Sequence, residues 1–490
     1  MLQKFLDAPR QLFWVVLALL TLYRVLALLQ PHLVLFYDEA YYYHWSLNPD
    51  WGYYSKPPMV AWVIWFFTQM LGDTAFAIKV GAPVLYGLSA LLVYQAAERI
   101  WSARAALMAG WVFITMPLMG YNSLFITTDA PLVFFWALTL RLFIAAWDQP
   151  EKLAPWVGLG LACGGGMLSK YTMALLPLGL FIFMAFSKEG RLVLTRPGPW
   201  IAAVLAGLIF GGNIWWNVAN DFVAFRHTSE ISGLDKYGLR PAELLEFWGA
   251  QIIVFGPVWS WLLLLQLRKI RNSAGGAEAI LWWAFLPLFL VISLQALLSH
   301  AFINWAAPAY VGASLLAGRA LADKSARWFW SGGLINLLLL SLIYHWPVLL
   351  DSLGIERGRN NDPYFRVLGW DEIGRQVAPT MAEYPDALLL SNSRKLLAAV
   401  GFYAMPGEFR VARWSDDPDY VEDYYDLRVN IRAIDQLGQE YIWIGENPLS
   451  AEVQASFGVV EYLASYTAVV YPDLTHQVYL YRLTNFRSAP

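Results

Sequence analysis

The sequence predicts a polytopic α-helical membrane protein of about eleven transmembrane helices, followed by a C-terminal soluble α/β domain. Three observations predict it. Hydrophobic residues make up 58% of the 490 and charged residues only 14%, where a soluble domain carries about 25% charged. The charge is also uneven: residues 351–490 hold 20 acidic and 12 basic residues, while residues 1–350 hold 17 acidic and 22 basic. Finally, apolar runs of spanning length recur throughout the first 350 residues. The expected boundary lies near Asp351, giving a membrane region 1–350, with a first external loop and juxtamembrane helices at 37–74, and a soluble domain 351–490.

About 20 apolar residues cross the hydrocarbon core as a helix. Runs of this kind lie at 12–36, 75–97, 105–122, 130–147, 153–169, 172–187, 199–219, 244–266, 278–299, 303–320 and 328–350. The first could pass for a signal peptide, but its apolar stretch continues to about Phe36 with no small-x-small cleavage site, so it reads as a retained helix. The segment 58–71 is too short to cross and is rich in Trp and Phe, as interfacial helices are. Gly164–Gly166 falls inside a run and suits close helix packing.

Basic residues set the sidedness. With the N-terminus inside, the cytoplasmic turns carry Lys4/Arg10, Arg99/Arg104, Lys152, Lys188/Arg191/Arg196, Arg268/Lys269/Arg271 and Arg319/Lys324/Arg327. The opposite loops carry few: Lys56, Lys79, Lys170, Arg226, Lys236 and Arg240. The positive-inside rule then places residues 351–490 outside the cytoplasm, in a bacterial inner membrane protein with a periplasmic C-terminal domain. In that domain β-like runs at 387–391, 441–445, 468–471 and 477–483 alternate with helical stretches at 371–384 and 394–403. Its acidic run Asp416–Asp419, Glu422, Asp423, Asp426 reads as a solvated face.

Several functions are excluded. Neither half is basic enough for nucleic acid. The single Cys163 rules out an intrachain disulfide and a multi-cysteine metal site. The chain has no P-loop, no G-x-G-x-x-G after a strand and no H-E-x-x-H, so a nucleotide-driven mechanism is not expected and the donor should arrive through the membrane.

The first external loop carries the densest chemistry. Asp38 and Glu39 end the first span, and ionisable groups at membrane depth are costly and usually functional. Five tyrosines, His44, Trp45 and Trp51 follow before Lys56, a composition suited to a saccharide cleft. On a helix the two carboxylates diverge by about 100°, so one is expected as general base and the other as an orienting group. Lys56-Pro57-Pro58 puts a cation at a helix start, an anion site for a lipid phosphate; the residues alone equally allow a snorkelling lysine. Asp129 in Thr127-Thr-Asp-Ala-Pro131 reads as a helix N-cap or a cleft-facing acid, two roles that are compatible. Lys170 and Tyr171 break the apolar sequence on the same side. Tyr54, Asn217, Arg226, His227, His300, Asn304 and Trp305 complete the external candidates.

These motifs resemble the GT-C glycosyltransferases, specifically the dolichyl-phosphate-mannose-protein mannosyltransferase and bacterial aminoarabinose (lipid A) transferase superfamily. The resemblance rests on Asp38-Glu39, Lys56-Pro57-Pro58, Thr128-Asp129-Ala130-Pro131, Ser169-Lys170-Tyr171 and Asn304-Trp305…Pro308-Ala309-Tyr310. It covers the membrane region in order and spacing, and the tail is similar to the periplasmic domains of bacterial members. It implies an inverting transfer of a sugar from a polyprenyl-phosphate (undecaprenyl-phosphate) donor to lipid A or another envelope glycan. It further implies Asp38 as base, with Lys56, helped by Lys170 or Arg226, holding the departing phosphate. Aminoarabinose transferases commonly have an acidic residue before Lys-Pro-Pro where this chain has Ser55. A metal ligand there is missing, and no cofactor is expected to be required, although Asp38, Glu39 and Asp129 could gather around a divalent ion.

Two other classes stay in view. A lipid-linked sugar flippase or transporter also sets charges at helix ends, but more often shows an internal repeat and does not need a 140-residue external domain. An envelope scaffold leaves the carboxylates unexplained. Within the enzymes, a surface polysaccharide polymerase or ligase is the alternative.

Overall fold

The computed structural model describes residues 4–233, 238–268, 276–417, 420–434 and 438–487. Lys236, Lys269, Arg271 and Asp419, used above, lie outside them. The chain forms two compact units. One contains Met1–Leu28, Lys56–Val60 and Val80–Tyr344; the other contains Leu29–Ser55, Ala61–Lys79 and His345–Pro490.

Among the described residues, six helices are long and apolar enough to cross a membrane: Pro9–Ala27, Ala75–Ile100, Asp129–Asp148, Pro197–Ala219, Ala277–Leu298 and Ala326–Tyr344. Two bent pairs raise the number to eight. The longest helices in the expected spans 105–122, 153–169 and 303–320 are Ala103–Ile114, Leu153–Met167 and Ala309–Ala322, 12 to 15 residues each. Such helices rise about 18–22 Å at 1.5 Å per residue, short of a roughly 30 Å core. Proline explains two of the three. Pro117 starts a separate helix, Pro117–Asn122, and Pro308 stands at the cap of Ala309–Ala322 after a 3₁₀ turn. The expected interfacial segment 58–71 forms the helix Met59–Leu71.

The expected span 244–266 is not one straight helix. Pro241–Phe255 and Pro257–Leu267 meet at 110°. Gly256 between them has φ +107°, and a Cβ there would collide with the Asn336 amide. Pro257 has no N–H to carry the first helix's hydrogen-bond ladder onward but suits the first position of a new one. The Gly164–Gly166 run does serve close packing. The helix Leu153–Met167 lies against Pro197–Ala219, where a Cβ on Gly164 would be 2.7 Å from Ile209 Cβ, and against Asp129–Asp148, where one on Gly165 would be 2.5 Å from the Phe135 ring.

The second unit is built on a five-stranded sheet: β1 Leu388–Ser391, β2 Val411–Arg413, β3 Tyr441–Gly445, β4 Phe457–Tyr471 and β5 Leu474–Phe486. The spatial order is β2-β1-β3-β5-β4. β1 runs parallel to β2 and β3, while β5 is antiparallel to β3 and β4. The buried run Tyr441–Gly445 fits a central strand, which is apolar on both faces. Leu390, Ala412, Trp414, Ile431, Trp443 and Leu483 pack together as a core. Sequence patterning missed β2 because three wholly buried residues show no alternation, and it missed the first eleven residues of β4, much of whose surface is exposed.

Of the first external loop, residues up to Ser55 and from Ala61 onward group with this second unit, and Lys56–Val60 with the first. The helix Tyr37–Ser46 packs on the helix Arg394–Ala404. Tyr424 N–H donates to the Tyr41 hydroxyl (2.5 Å), Gly407 N–H to that of Tyr43 (3.0 Å) and Leu35 N–H to that of Tyr403 (2.9 Å). Trp45 stacks on Tyr53 at 4.7 Å. Tyr41, Tyr42, Tyr43, Trp45, Tyr53 and Tyr54 are buried. Tyr41 and Tyr43 therefore form a structural seam: their rings cover apolar area, and their hydroxyls accept from backbone N–H groups far along the chain.

His44 sits in the same seam. Its Nδ1 is 2.6 Å from the Tyr425 hydroxyl, its ring meets Phe409 edge-on, and Nε2 is buried with no hydrogen-bond partner among the described residues. Burial pulls its pKa down to about 3. Between that value and the unfolded value near 6.5, the unfolded chain binds a proton that the folded chain refuses, so stability falls as pH drops from about 6.5. Thermal unfolding of the full-length protein should show a steeper loss of Tm between pH 7.5 and 5 than that of His44→Leu. Parallel curves for the two proteins would remove His44 from the acid response.

Candidate active site

Asp38 and Glu39 start the helix Tyr37–Ser46, and its geometry parts them. Glu39 is at N3, where its carboxylate accepts from the Phe36 N–H at 3.0 Å, half of a capping box. The same oxygen, Oε2, lies 2.5 Å from Lys79 Nζ, with both side chains at most 1% exposed. Glu39 is thus turned inward, holding the helix start. Asp38 points another way. It is 30% exposed, and its Oδ1 is 3.2 Å from an Arg394 guanidinium nitrogen. That guanidinium lies 4.8 Å from the Tyr41 ring centroid and 5.5 Å from that of Tyr37. Burial works against its charge, but Asp38 and Tyr41, Tyr42 and Tyr37 hold its pKa above the usual arginine value. Tyr54 is buried in this unit.

The membrane-type unit holds a second cluster. Asp129 opens the helix Asp129–Asp148, whose N-cap is Thr128, with no side-chain cap bond. The Asp129 side chain is committed elsewhere: Oδ1 to Lys170 Nζ at 2.8 Å and Oδ2 to the Asn304 amide at 2.5 Å. Asp129 is 2% exposed, so burial of its charge is compensated by one cation and one donor. Lys170 stands between the helix Leu153–Met167 and the 3₁₀ turn Tyr171–Ala174. The Lys56-Pro57-Pro58 segment reaches the same turn, because Met59 N–H donates to Leu168 C=O at 2.9 Å.

Next to this turn the Tyr171 hydroxyl bonds Asn213 at 3.3 Å and receives the Asn217 amide at 3.4 Å. Asn217 is fully buried, and its Oδ1 has no hydrogen-bond partner among the described residues. Tyr171 also stacks on Phe225 at 4.6 Å. Phe225 is aimed by two successive left-handed residues, Asp221 (φ 52°) and Phe222 (φ 55°), a costly backbone for non-glycine residues. Arg226 follows Phe225 and is exposed; His227 is half-buried. His300 and Trp305 keep ring company at 6.2 Å, and His300 Nδ1 is 3.3 Å from Ser299 Oγ. An apolar cavity of about 320 Å³ is lined by Trp156, Trp200 and Phe210, and by Met167 and Ala174, which bracket the Lys170 turn.

The structure therefore joins Asp129, Lys170 and Asn304, and separately Tyr171 and Asn217. Arg394, Lys79 and Asn213 were not singled out from the sequence. Lys79 had a signal, since a lysine at the head of an apolar run needs a partner. Arg394 had none, because its partner is 356 positions away. Among the described residues no three His, Cys, Asp or Glu side chains gather as a metal site.

Comparison with known proteins follows this layout. The family model for dolichyl-phosphate-mannose-protein mannosyltransferase matches residues 55–216. A lipid A galacturonosyltransferase of Rhizobium johnstonii is 31% identical over 417 residues, covering 82% of this chain and 85% of that protein. An undecaprenyl phosphate-alpha-4-amino-4-deoxy-L-arabinose arabinosyl transferase of Pseudomonas fluorescens is 27% identical over 61% of this chain and 58% of its own length. The crystal structure of ArnT from Cupriavidus metallidurans bound to undecaprenyl phosphate shares the fold, with TM-score 0.64, 16% identity and coverage of 96% of this chain and 97% of that one.

Proposed function

The chain belongs to the GT-C superfamily of membrane glycosyltransferases, in the family of the dolichyl-phosphate-mannose-protein mannosyltransferases and the bacterial lipid A glycosyltransferases, and from that premise we propose the reaction it performs. It moves one sugar, with inversion, from undecaprenyl phosphate to a lipid A-type acceptor at the outer face of the bacterial inner membrane. The observation that carries this reading is Lys170, partly exposed and paired with Asp129, immediately before the turn Tyr171–Ala174, whose Ala174 lines an apolar cavity; a cation close to apolar space suits a phosphate joined to a hydrocarbon chain.

Asp38 takes the proton of the acceptor hydroxyl as that oxygen attacks the anomeric carbon. The bond from that carbon to the phosphate oxygen breaks, and the polyprenyl phosphate leaves with the electron pair. Lys56, with Lys170 and Arg226, stabilises the charge growing on the departing phosphate. Tyr54, Asp129, Tyr171, Asn217, His227, His300, Asn304 and Trp305 are proposed to shape the sugar and acceptor subsites, and Glu39 to orient Asp38. The positive-inside count supports eleven spans, a cytoplasmic N-terminus and a periplasmic C-terminal domain beginning between residues 345 and 351; three of those spans are short helices.

Purified protein in phospholipid vesicles, given undecaprenyl-phosphate-linked galacturonic acid or aminoarabinose and lipid A, should yield lipid A heavier by one sugar by mass spectrometry. Lys56→Ala should raise the donor KM and lower kcat. No product from either donor, or a Lys56→Ala enzyme with unaltered donor kinetics, would count against the reading.

A further inference from the structure

The C-terminal part of the chain supplies the cation that touches Asp38, and no sequence motif announced it. Arg394 follows the carboxyl end of β1, a parallel strand of the sheet, at the first position of the helix Arg394–Ala404. In open α/β sheets the carboxyl ends of parallel strands are where side chains are commonly brought to a ligand. Ser393 caps this helix through its bond from the Leu396 N–H (3.4 Å), which fixes where the Arg394 side chain begins.

The guanidinium is then held on three sides. Tyr41 and Tyr37 offer ring faces at 4.8 and 5.5 Å, and Tyr41 is itself buried and tied to the Tyr424 backbone. The third side is the Asp38 carboxylate at 3.2 Å. Arg394 remains 36% exposed, so solvent screening limits what the ion pair adds to stability. A surface pair of little stabilising value, built on two aromatic faces at a proposed general base, points to a role in setting that base's geometry.

We propose that Arg394 is a positioning residue for Asp38, fixing the orientation of its carboxylate, so that the C-terminal unit is part of the catalytic apparatus. The inference rests on the assignment of Asp38 as base. The neighbouring cation serves as an internal control: Lys395 is bound to Glu446 at 2.9 Å and lies over the Trp370 ring.

The test measures kcat and KM of full-length protein in vesicles, with undecaprenyl-phosphate-linked sugar and lipid A. Arg394→Gln keeps much of the side-chain stem and removes the charge. It should lower kcat about ten- to hundredfold, as misplacement of a catalytic group does, with donor KM within about threefold. Arg394→Lys should recover part of the loss, since it keeps the charge but not the planar fork. Added methylguanidine should restore part of the turnover of Arg394→Ala. Lys395→Ala should turn over normally. Wild-type kcat in folded Arg394→Gln, or an equal loss in Lys395→Ala, overturns the inference. If Arg394→Gln does not fold, Arg394→Lys with methylguanidine-insensitive, wild-type kcat overturns it as well. Asp38→Asn separates the two levels. Full turnover there removes the base assignment itself, whereas an inactive Asp38→Asn beside a normal Arg394→Gln removes only the role of Arg394.

Discussion

Asp38→Asn should reduce sugar transfer by at least about a hundredfold, the lower end of what a positioned general base contributes. The substitution keeps shape and volume and lets the amide oxygen still accept from Arg394, so the 3.2 Å contact has an isosteric replacement. Asp38 is 30% exposed, and loss of a partly solvated ion pair costs little stability. Folded yield and Tm should therefore match the wild type while turnover collapses. Turnover near normal with a polyprenyl-phosphate donor would leave the reaction without its base. A parallel collapse of yield would mean that the residue is structural.

Lys79→Met should produce the largest loss of stability. Lys79 and Glu39 form an ion pair at 2.5 Å with almost no exposure. Removing one partner strands a buried charge, which typically costs about 3–5 kcal/mol. Glu39 also holds the Phe36 N–H, so the start of the helix carrying Asp38 should loosen together with the unit. Replacing both members, Lys79→Met with Glu39→Gln, removes the stranded charge, and such replacements are often close to neutral. The double variant should thus recover much of the Tm lost by the single one. If Lys79→Met unfolds at the wild-type temperature, the pair has no structural weight. If the double variant is as unstable as the single, the cost lies in packing and not in charge.

The two variants separate functions that adjacent residues share in the sequence. Asp38 and Glu39 read there as one acidic pair at the end of a span. Their 100° divergence on a helix was already enough to expect different jobs, but not which residue faced inward. Lys79 decides that, and Lys79 is 40 positions away. The aromatic residues that follow are ambiguous in the sequence for a related reason. Tyrosine and tryptophan suit a sugar face and a buried seam equally well, since each has an apolar body and a polar tip. Only the hydroxyl bonds to the backbones of Gly407 and Tyr424 distinguish the two.

What the sequence by itself determined is whatever depends on local periodicity and composition. Apolar runs, the distribution of Lys and Arg, and helix-starting prolines yield a helical membrane region, its expected orientation and a soluble α/β tail. Short motifs such as Lys56-Pro57-Pro58 and Ser169-Lys170-Tyr171 yield the family and its chemistry. Only the tertiary structure decided that the helix Tyr37–Ser46 packs on the tail's helix Arg394–Ala404, that Asp129 is bound by Lys170 and Asn304, and that the span around Gly256 is bent. It alone joined Asp38 to Arg394. The physical reason is common to all of these. A hydrogen bond or ion pair depends on distance in space, and burial sets its value, whereas residues hundreds of positions apart carry no local pattern that could announce their meeting.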